Sequence, residues 1–262
     1  IVTLGENLEL IGCVILLEDV TEVKVLERSK EEFFSIASHE LRTPLTAIRG
    51  NTAMIKDFYK DQLKDKELSE MIDDIHTSSV RLIELVNDFL DSSRLEQGKM
   101  KFKKEIFDIS ALIQTVVKEL VAYHSNSKVK LVFTQPKESL PMVGADQDKV
   151  KQILLNLIGN SLKFTDSGSV TVSLVKETGF IKVLVTDTGQ GIPVQNQNLL
   201  FRKFQQASNS LLTRDATKGT GLGLYISRMM VEGMGGKIEL VKSIEGKGAT
   251  FSVTIPVAKY KK

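Results

Sequence analysis

The chain has 262 residues, 42% hydrophobic and 26% charged, with 18 glycines and 5 prolines; this length supports one or two compact domains, and this balance excludes a collagen-like, membrane-embedded or domain-scale disordered polypeptide. Thirty-five Lys and Arg face thirty-three Asp and Glu, and the net charge of +2 is too small to recruit nucleic acid or an anionic membrane by electrostatics alone. The single Cys13 excludes an internal disulfide framework and a Cys-rich zinc site and favours a reducing compartment.

Residues 1–4 and 8–17 read as two short strands around the turn Gly5-Glu6-Asn7. Within the second, Cys13 is expected to be a small buried hydrophobe. No apolar run reaches the roughly 18 residues a membrane span needs, and the start lacks a secretory signal pattern. The sequence is therefore expected to be part of a longer polypeptide.

From Val20 to Tyr59 the apolar positions Val23, Leu26, Phe33, Ala37, Leu41, Leu45 and Ile48 recur at spacings of three, four and seven, which predicts one long amphipathic helix. A polar stretch over 60–66 interrupts it. A second stripe, Leu68, Met71, Ile72, Ile75, Ser79, Leu82, Val86, Phe89 and Leu90, predicts a second helix ending near Gly98. Such a hairpin leaves much of its apolar face uncovered, and pairing with a second copy as a four-helix bundle would cover it. Packing on the rest of its own chain is the alternative.

After Lys101 the pattern alternates between strands, at 128–134, 169–176, 180–186, 237–242 and 248–255, and helices, at 108–124, 146–163 and 222–234. The domains are expected to be 1–21, 22–100 and 101–262, the last an α/β sandwich, so that the chain is α+β and multidomain. Residues 189–219 are rich in polar side chains without periodicity, as in a functional loop.

Three local patterns carry chemistry. On the helix at 146–163, Gln152, Asn156, Asn160 and Lys163 fall within about 80° of one another on the helical wheel. Carboxamides and an ammonium on one face suit a magnesium-bound polyphosphate, although a solvated helix face accounts for the same stripe. Asp187-Thr188-Gly189-Gln190-Gly191 follows a strand, placing a carboxylate that can accept from an exocyclic amine beside glycines that admit a flat ligand. Gly219-Thr220-Gly221-Leu222-Gly223-Leu224 runs into a helix and gathers free backbone N–H groups at its start, a phosphate cradle. Each glycine run alone also fits an ordinary turn.

Of the three histidines, His76 and His124 read as helix-surface or boundary residues. His39 lies in Ser38-His39-Glu40-Leu41-Arg42-Thr43-Pro44-Leu45 inside the first helix, where Pro44 is expected to bend the helix. A neutral imidazole can attack phosphorus if a neighbouring carboxylate orients it and takes its second proton, and Glu40 is placed to do so. Thr43, one turn along the same face, is placed to position a water.

These residues as a set resemble the sensor histidine kinases of two-component signalling. The likeness spans about 22–257 and rests on the His39 segment; on Asn156-Leu157-Ile158-Gly159-Asn160-Ser161-Leu162-Lys163-Phe164-Thr165; on Asp187-x-Gly189-x-Gly191; on Phe201-x-x-Phe204; and on Gly219-x-Gly221-Leu222-Gly223-Leu224. It implies a dimeric phosphotransfer hairpin followed by an ATP-binding domain of the GHKL (Bergerat) type. His39 would then be the phosphoacceptor and Glu40 its base. Asn160 would bind Mg2+, Asn156 and Lys163 the ATP phosphates, and Asp187 the adenine amino group. Phe164 would line the adenine pocket, with Gly189 and Gly191 beside it, and Gly219, Thr220, Gly221, Leu222 and Gly223 would form the phosphate side.

The implied activity is autophosphorylation of His39 and transfer to an aspartate of a response-regulator receiver domain, with dephosphorylation of that regulator as a compatible second activity through Glu40 and Thr43. A nucleotide-binding scaffold without phosphotransfer is the competing class. The implied partners are a second copy of the chain and the receiver domain, with no nucleic acid. Membrane contact would come only through a segment upstream of this otherwise cytoplasmic piece. Residues 1–21, closing on Asp19-Val20-Thr21, resemble the end of a PAS sensor. Many relatives carry Arg where this chain has Gln206, and Arg202, Lys203, Arg214 and Lys218 are the nearby cations that could act in its place.

Overall fold

The computed structural model describes residues 18, 19, 21–59, 66–123, 128–136, 138–203, 205 and 221–258; for 21–39 and 123 it describes the backbone alone. The strands expected at 1–4 and 8–17, Cys13, His124, Phe204, Gln206, Arg214, Lys218, Gly219 and Thr220 lie outside the described residues. The chain divides into two compact units, 1–83 and 84–262, so the division falls inside the second helix, ahead of the change in sequence pattern after Lys101.

In the first unit, α1 (Thr21–Phe58) runs as helix through Pro44; α2 (Lys66–Glu96) begins in this unit and ends in the second. Thr52 Oγ1 bonds His76 Nδ1 at 2.9 Å, and Lys56 pairs with Asp73 at 2.8 Å. The partner on α2 moves back as the residue on α1 moves forward, which is the signature of an antiparallel hairpin. The Thr52 hydroxyl also reaches the carbonyls of Ile48 and Arg49. The contact gives His76 a structural role between the two helices. Leu41, Ile48, Met54, Phe58, Leu68, Met71, Ile75 and Leu82 remain exposed along the two helices.

Gly98, at φ 62, terminates α2. Lys99 N–H returns to the carbonyl of Arg94 at 2.9 Å, and Gly98 N–H to that of Leu95 at 3.0 Å, closing the orphan carbonyls of the last turn.

The second unit continues with β1 (Glu105–Phe107), α3 (Ile109–Tyr123), β2 (Val129–Thr134), β3 (Val143–Ala145), α4 (Gln147–Lys163), β4 (Gly168–Glu177), β5 (Phe180–Asp187), α5 (Val194–Gln197), α6 (Gly223–Gly233), β6 (Lys237–Ile244) and β7 (Gly248–Pro256). Five strands form one mixed sheet in the order β2-β4-β5-β7-β6, and β1 and β3 form a separate pair. Only β2 and β4 run parallel; the other ladders are antiparallel.

Alternation along the strands sorts the two faces of the sheet. Val170, Val172, Ile181, Val183, Val185, Val253 and Ile255 are fully or almost fully buried on one face together with Val150, Ile153, Leu154, Leu157 and Ile158 of α4. Thr186 and Thr250 on the other face bond each other near solvent. This is the expected α/β sandwich. The three-residue strands β1 and β3 and the single turn α5 are additions to the sequence reading.

Candidate functional site

The second unit encloses a cavity of about 470 Å³ whose walls come from both ends of the sequence pattern read above. Its floor is α4. Asp146 caps that helix by accepting from Lys149 N–H at 3.1 Å, and its other oxygen accepts from Lys103 N–H at 2.8 Å, fixing the helix start and the incoming chain together. While one face of α4 packs into the core, Asn156, Asn160, Ser161 and Phe164 line the cavity.

The expected polar stripe thus divides. Gln152 is exposed and accepts from Lys149 Nζ at 3.3 Å, and Lys163 is exposed with its ammonium 5.8 Å from the Phe164 ring centroid; neither lines the cavity. The reason is angular. With Asn156 at 0° and about 100° per residue, Gln152 and Lys163 lie at one edge of the stripe, whereas the other residues of α4 that line the cavity, Asn160, Phe164 and Ser161, continue round the helix in the opposite sense.

Asp187, the last residue of β5, is 7% exposed and faces the same cavity. Its Oδ1 accepts from Gly189 N–H at 3.0 Å and Ala249 N–H at 3.1 Å, and Oδ2 from Ser161 Oγ at 3.3 Å. Two backbone donors and a hydroxyl hold the carboxylate in one orientation, with lone-pair capacity left on Oδ2 for a ligand donor. Ser161 was not singled out in the sequence, because a small residue between Asn160 and Leu162 has no local signal.

The loop after Asp187 owes its path to its glycines. Gly191 sits at φ 66, and a Cβ there would strike the carbonyl of Ile244; a Cβ on Gly189 would strike that of Phe164. Gln190 N–H bonds the Phe164 carbonyl at 3.1 Å, and the Gln190 carbonyl accepts from Gly246 N–H at 2.7 Å. Gly191 lines the cavity and Gly189 does not.

Gly221, Gly223 and Leu224 also line the cavity, with Gly223 opening α6. A side chain on Gly223 would meet the Asn156 amide. Leu222, 1% exposed, turns into the core. Asn160 Nδ2 donates to Asn156 Oδ1 at 3.2 Å, and Asn156 Nδ2 to Ser227 Oγ at 2.9 Å. This amide relay fixes both carboxamides and turns the Asn160 oxygen away from its neighbour as a neutral, hard ligand atom. Among the described residues no cluster of three or more His, Cys, Asp or Glu is set to hold a metal ion. A cation at Asn160 would therefore be held mostly by phosphate oxygens and water, the usual manner of Mg2+.

Glu84 and Asp88 of α2 and Glu245 also line the cavity; no motif in the sequence marks them. Of the described cations near the absent Arg, Arg202 is exposed and Lys203 is ion-paired with Glu96. Glu96 also accepts from Tyr225 Oη at 2.6 Å. Burial acts to raise the Glu96 carboxyl, but its bonds with Lys203 and Tyr225 bring it below the ordinary value of 4.5. Burial and the adjoining Glu96 push the Tyr225 phenol up to about 12.

His39, Glu40 and Thr43 lie on α1 in the other unit. The backbone is helical at all three, and the side chains of Glu40 and Thr43 are exposed. His39 and Thr43, four residues apart, share a helix face.

Comparison with known proteins covers both units. Residues 29–98 match the His Kinase A (phospho-acceptor) domain, and residues 145–259 the histidine kinase-, DNA gyrase B- and HSP90-like ATPase family. A sensor-like histidine kinase of Rhizobium meliloti is 35% identical over 87% of this chain and 43% of its own length. The circadian input-output histidine kinase CikA of Synechococcus elongatus is 35% identical over 92% of this chain and 32% of its own. The chain thus spans less than half the length of these relatives. The crystal structure of full-length ShkA in complex with AMPPNP superposes with a TM-score of 0.70 at 27% identity, covering 87% of this chain and 47% of that one. The Acinetobacter baumannii histidine kinase AdeS shares the fold at a TM-score of 0.57 and 23% identity, over 84% of this chain and 98% of its own. No described helix is long and apolar enough to cross a membrane.

Proposed function

Because the chain belongs to the sensor histidine kinases of two-component signalling, we propose that it is the ATP-dependent kinase core of such a protein, phosphorylating its own His39 and passing the phosphoryl group to an aspartate of a response-regulator receiver domain. The observation that carries this reading is the shared cavity. Asp187, a buried carboxylate with spare acceptor capacity, and the Asn156–Asn160 amide pair face one chamber, one suited to an amine-bearing base and the other to phosphates and their cation.

In this reading 22–100 is the phosphotransfer hairpin and 101–262 the ATP-binding domain. Asp187 accepts from the adenine amino group, Phe164 walls the base, and Gly191 admits its edge. Asn156, Gly221 and Gly223 contact the phosphates, with Gly219 and Thr220 continuing that wall and Lys163 adding charge from outside it. Asn160 holds Mg2+, which neutralises phosphate oxygens when bound. Asn156 stands where related ATPases use a carboxylate, and an amide cannot take a proton from water, so His39 is favoured over water as acceptor. On α1, Glu40 orients the His39 ring and takes its proton. Glu40 and Thr43, exposed one turn apart, also suit the alignment of water for regulator dephosphorylation.

Two copies of the hairpin form a four-helix bundle that covers the exposed stripes of α1 and α2, and use of ATP assigns this piece to the cytoplasm. The test is transfer. The chain is loaded with label from γ-labelled ATP, freed of nucleotide and mixed with a purified receiver domain. Label should leave the chain and appear on the receiver as an alkali-labile acyl phosphate. Label retained on the chain against every receiver tried, or released without ever having been attached to it, contradicts the proposal.

A further inference from the structure

Outside the cavity, one carboxylate ties two of its walls together. Leu200 and Gln205 line one side, and Gly221, Gly223 and Leu224 another. Lys203 belongs to the first segment and Tyr225 follows directly on the second, and both bind Glu96 in the last turn of α2. The triangle closes on itself. The Lys203 ammonium lies 5.5 Å from the Tyr225 ring centroid, in reach of a cation–π attraction, and Ser92 Oγ donates to the same carboxylate oxygen at 3.4 Å. An isolated surface ion pair would contribute little. Here the carboxylate is anchored by its neighbour Leu95, 7% exposed in the hydrophobic core, and takes a charged hydrogen bond besides the ion pair.

The consequence follows from where Tyr225 sits. It lies two residues beyond Gly223, in the first turn of α6, and Gly223 is packed so closely on the Asn156 amide that a Cβ there would lie 2.5 Å from its oxygen and displace it. A rotation of that turn moves Gly223 against Asn156.

We propose that Glu96 is a positioning residue for nucleotide binding: by holding Tyr225 and Lys203 at once it sets the spacing of the two cavity walls. The affinity of the cavity for nucleotide then depends on where the last turn of α2 stands, and by linkage nucleotide biases the position of that turn. This rests on the cavity being the ATP site.

The experiment is titration of the full chain with a fluorescent trinitrophenyl-ATP in the presence of Mg2+, comparing wild type with Glu96→Ala, Tyr225→Phe and the double variant. Tyr225→Phe retains the ring and its packing, which keeps the test open should Glu96→Ala fold poorly. Each single change should weaken binding about fivefold, the lower end of typical coupling between sites, and the double variant should be no weaker than Glu96→Ala alone. In autophosphorylation the KM for ATP should rise by the same factor with kcat within about twofold, because a positioning residue that acts only on binding leaves the chemical step alone. Unchanged affinity, losses that multiply, or a fall in kcat at constant KM overturns the proposal. A wild-type chain that binds no nucleotide overturns the ATP reading with it, whereas variants that bind as tightly as wild type overturn only the role of Glu96.

Discussion

The carboxylate of Asp187 is held in one orientation by Gly189 N–H, Ala249 N–H and Ser161 Oγ. Its place at a strand end before two glycines marked it in the sequence, and Asn156 and Asn160 stood out through their spacing on a helix. Ser161, Glu84, Asp88 and Glu245 reach the same cavity through tertiary packing that no local pattern encodes. Asp187→Asn replaces one carboxylate oxygen with a donor and forces it against Gly189 and Ala249 N–H or against the ligand amine. A charged hydrogen bond contributes about 1.5–3 kcal/mol, so nucleotide affinity should fall at least about tenfold, as measured by calorimetric titration with an ATP analogue.

Glu96 makes stability depend on pH. Its folded carboxyl is held below the ordinary value of 4.5, so the stability it supplies is present above that value and lost as pH falls through the lowered one. Tyr225 acts in the opposite sense: its contribution is complete below 10.0 and is lost as pH rises through about 12. Thermal melts from about pH 6 to pH 3 should therefore show a shallower acid decline for Glu96→Gln than for wild type. Parallel curves would mean that the bonds to Lys203 and Tyr225 are absent in solution.

At the level of elements, the long periodic helices and the five strands of the main sheet were readable because each is an amphipathic pattern complete in itself. The strands β1 and β3 were not. Each has three residues, and their pairing joins Glu105 to Ala145 across forty positions, a contact set by the tertiary fold. Nor did the sequence reveal that the polar stripe of α4 would divide, since a helical wheel does not say which edge of a stripe the tertiary fold turns toward the cavity. The loop between β5 and α5 depends on Gly191, where a side chain would be both left-handed and pressed on the Ile244 carbonyl. Gly191→Ala should destabilise the second unit by at least about 1–2 kcal/mol, read as a lower midpoint in urea unfolding followed by tryptophan-free probes such as far-UV circular dichroism. An unchanged midpoint would show that the loop adopts another path.

For the whole molecule, the apolar residues left exposed on the hairpin, among them Met71, Ile75 and Leu82 on α2, are the strongest physical reason for a second copy. Placing charges there by Ile75→Glu with Leu82→Glu should convert a dimer into a monomer in sedimentation velocity at micromolar concentration, because unpaired charge in a buried seam opposes association. A dimer that survives both changes would place the interface elsewhere.

In the proposed reaction His39 receives a phosphoryl group from a nucleotide bound at Asp187 and Asn160. The most direct measurement is incubation of the chain with γ-labelled ATP and Mg2+, followed by acid and alkali treatment, for wild type, His39→Gln and Asp187→Asn. Wild type should carry an alkali-stable, acid-labile label, His39→Gln none, and Asp187→Asn strongly reduced label at limiting ATP. Label that persists on His39→Gln, or that resists acid on wild type, would contradict the proposed reaction.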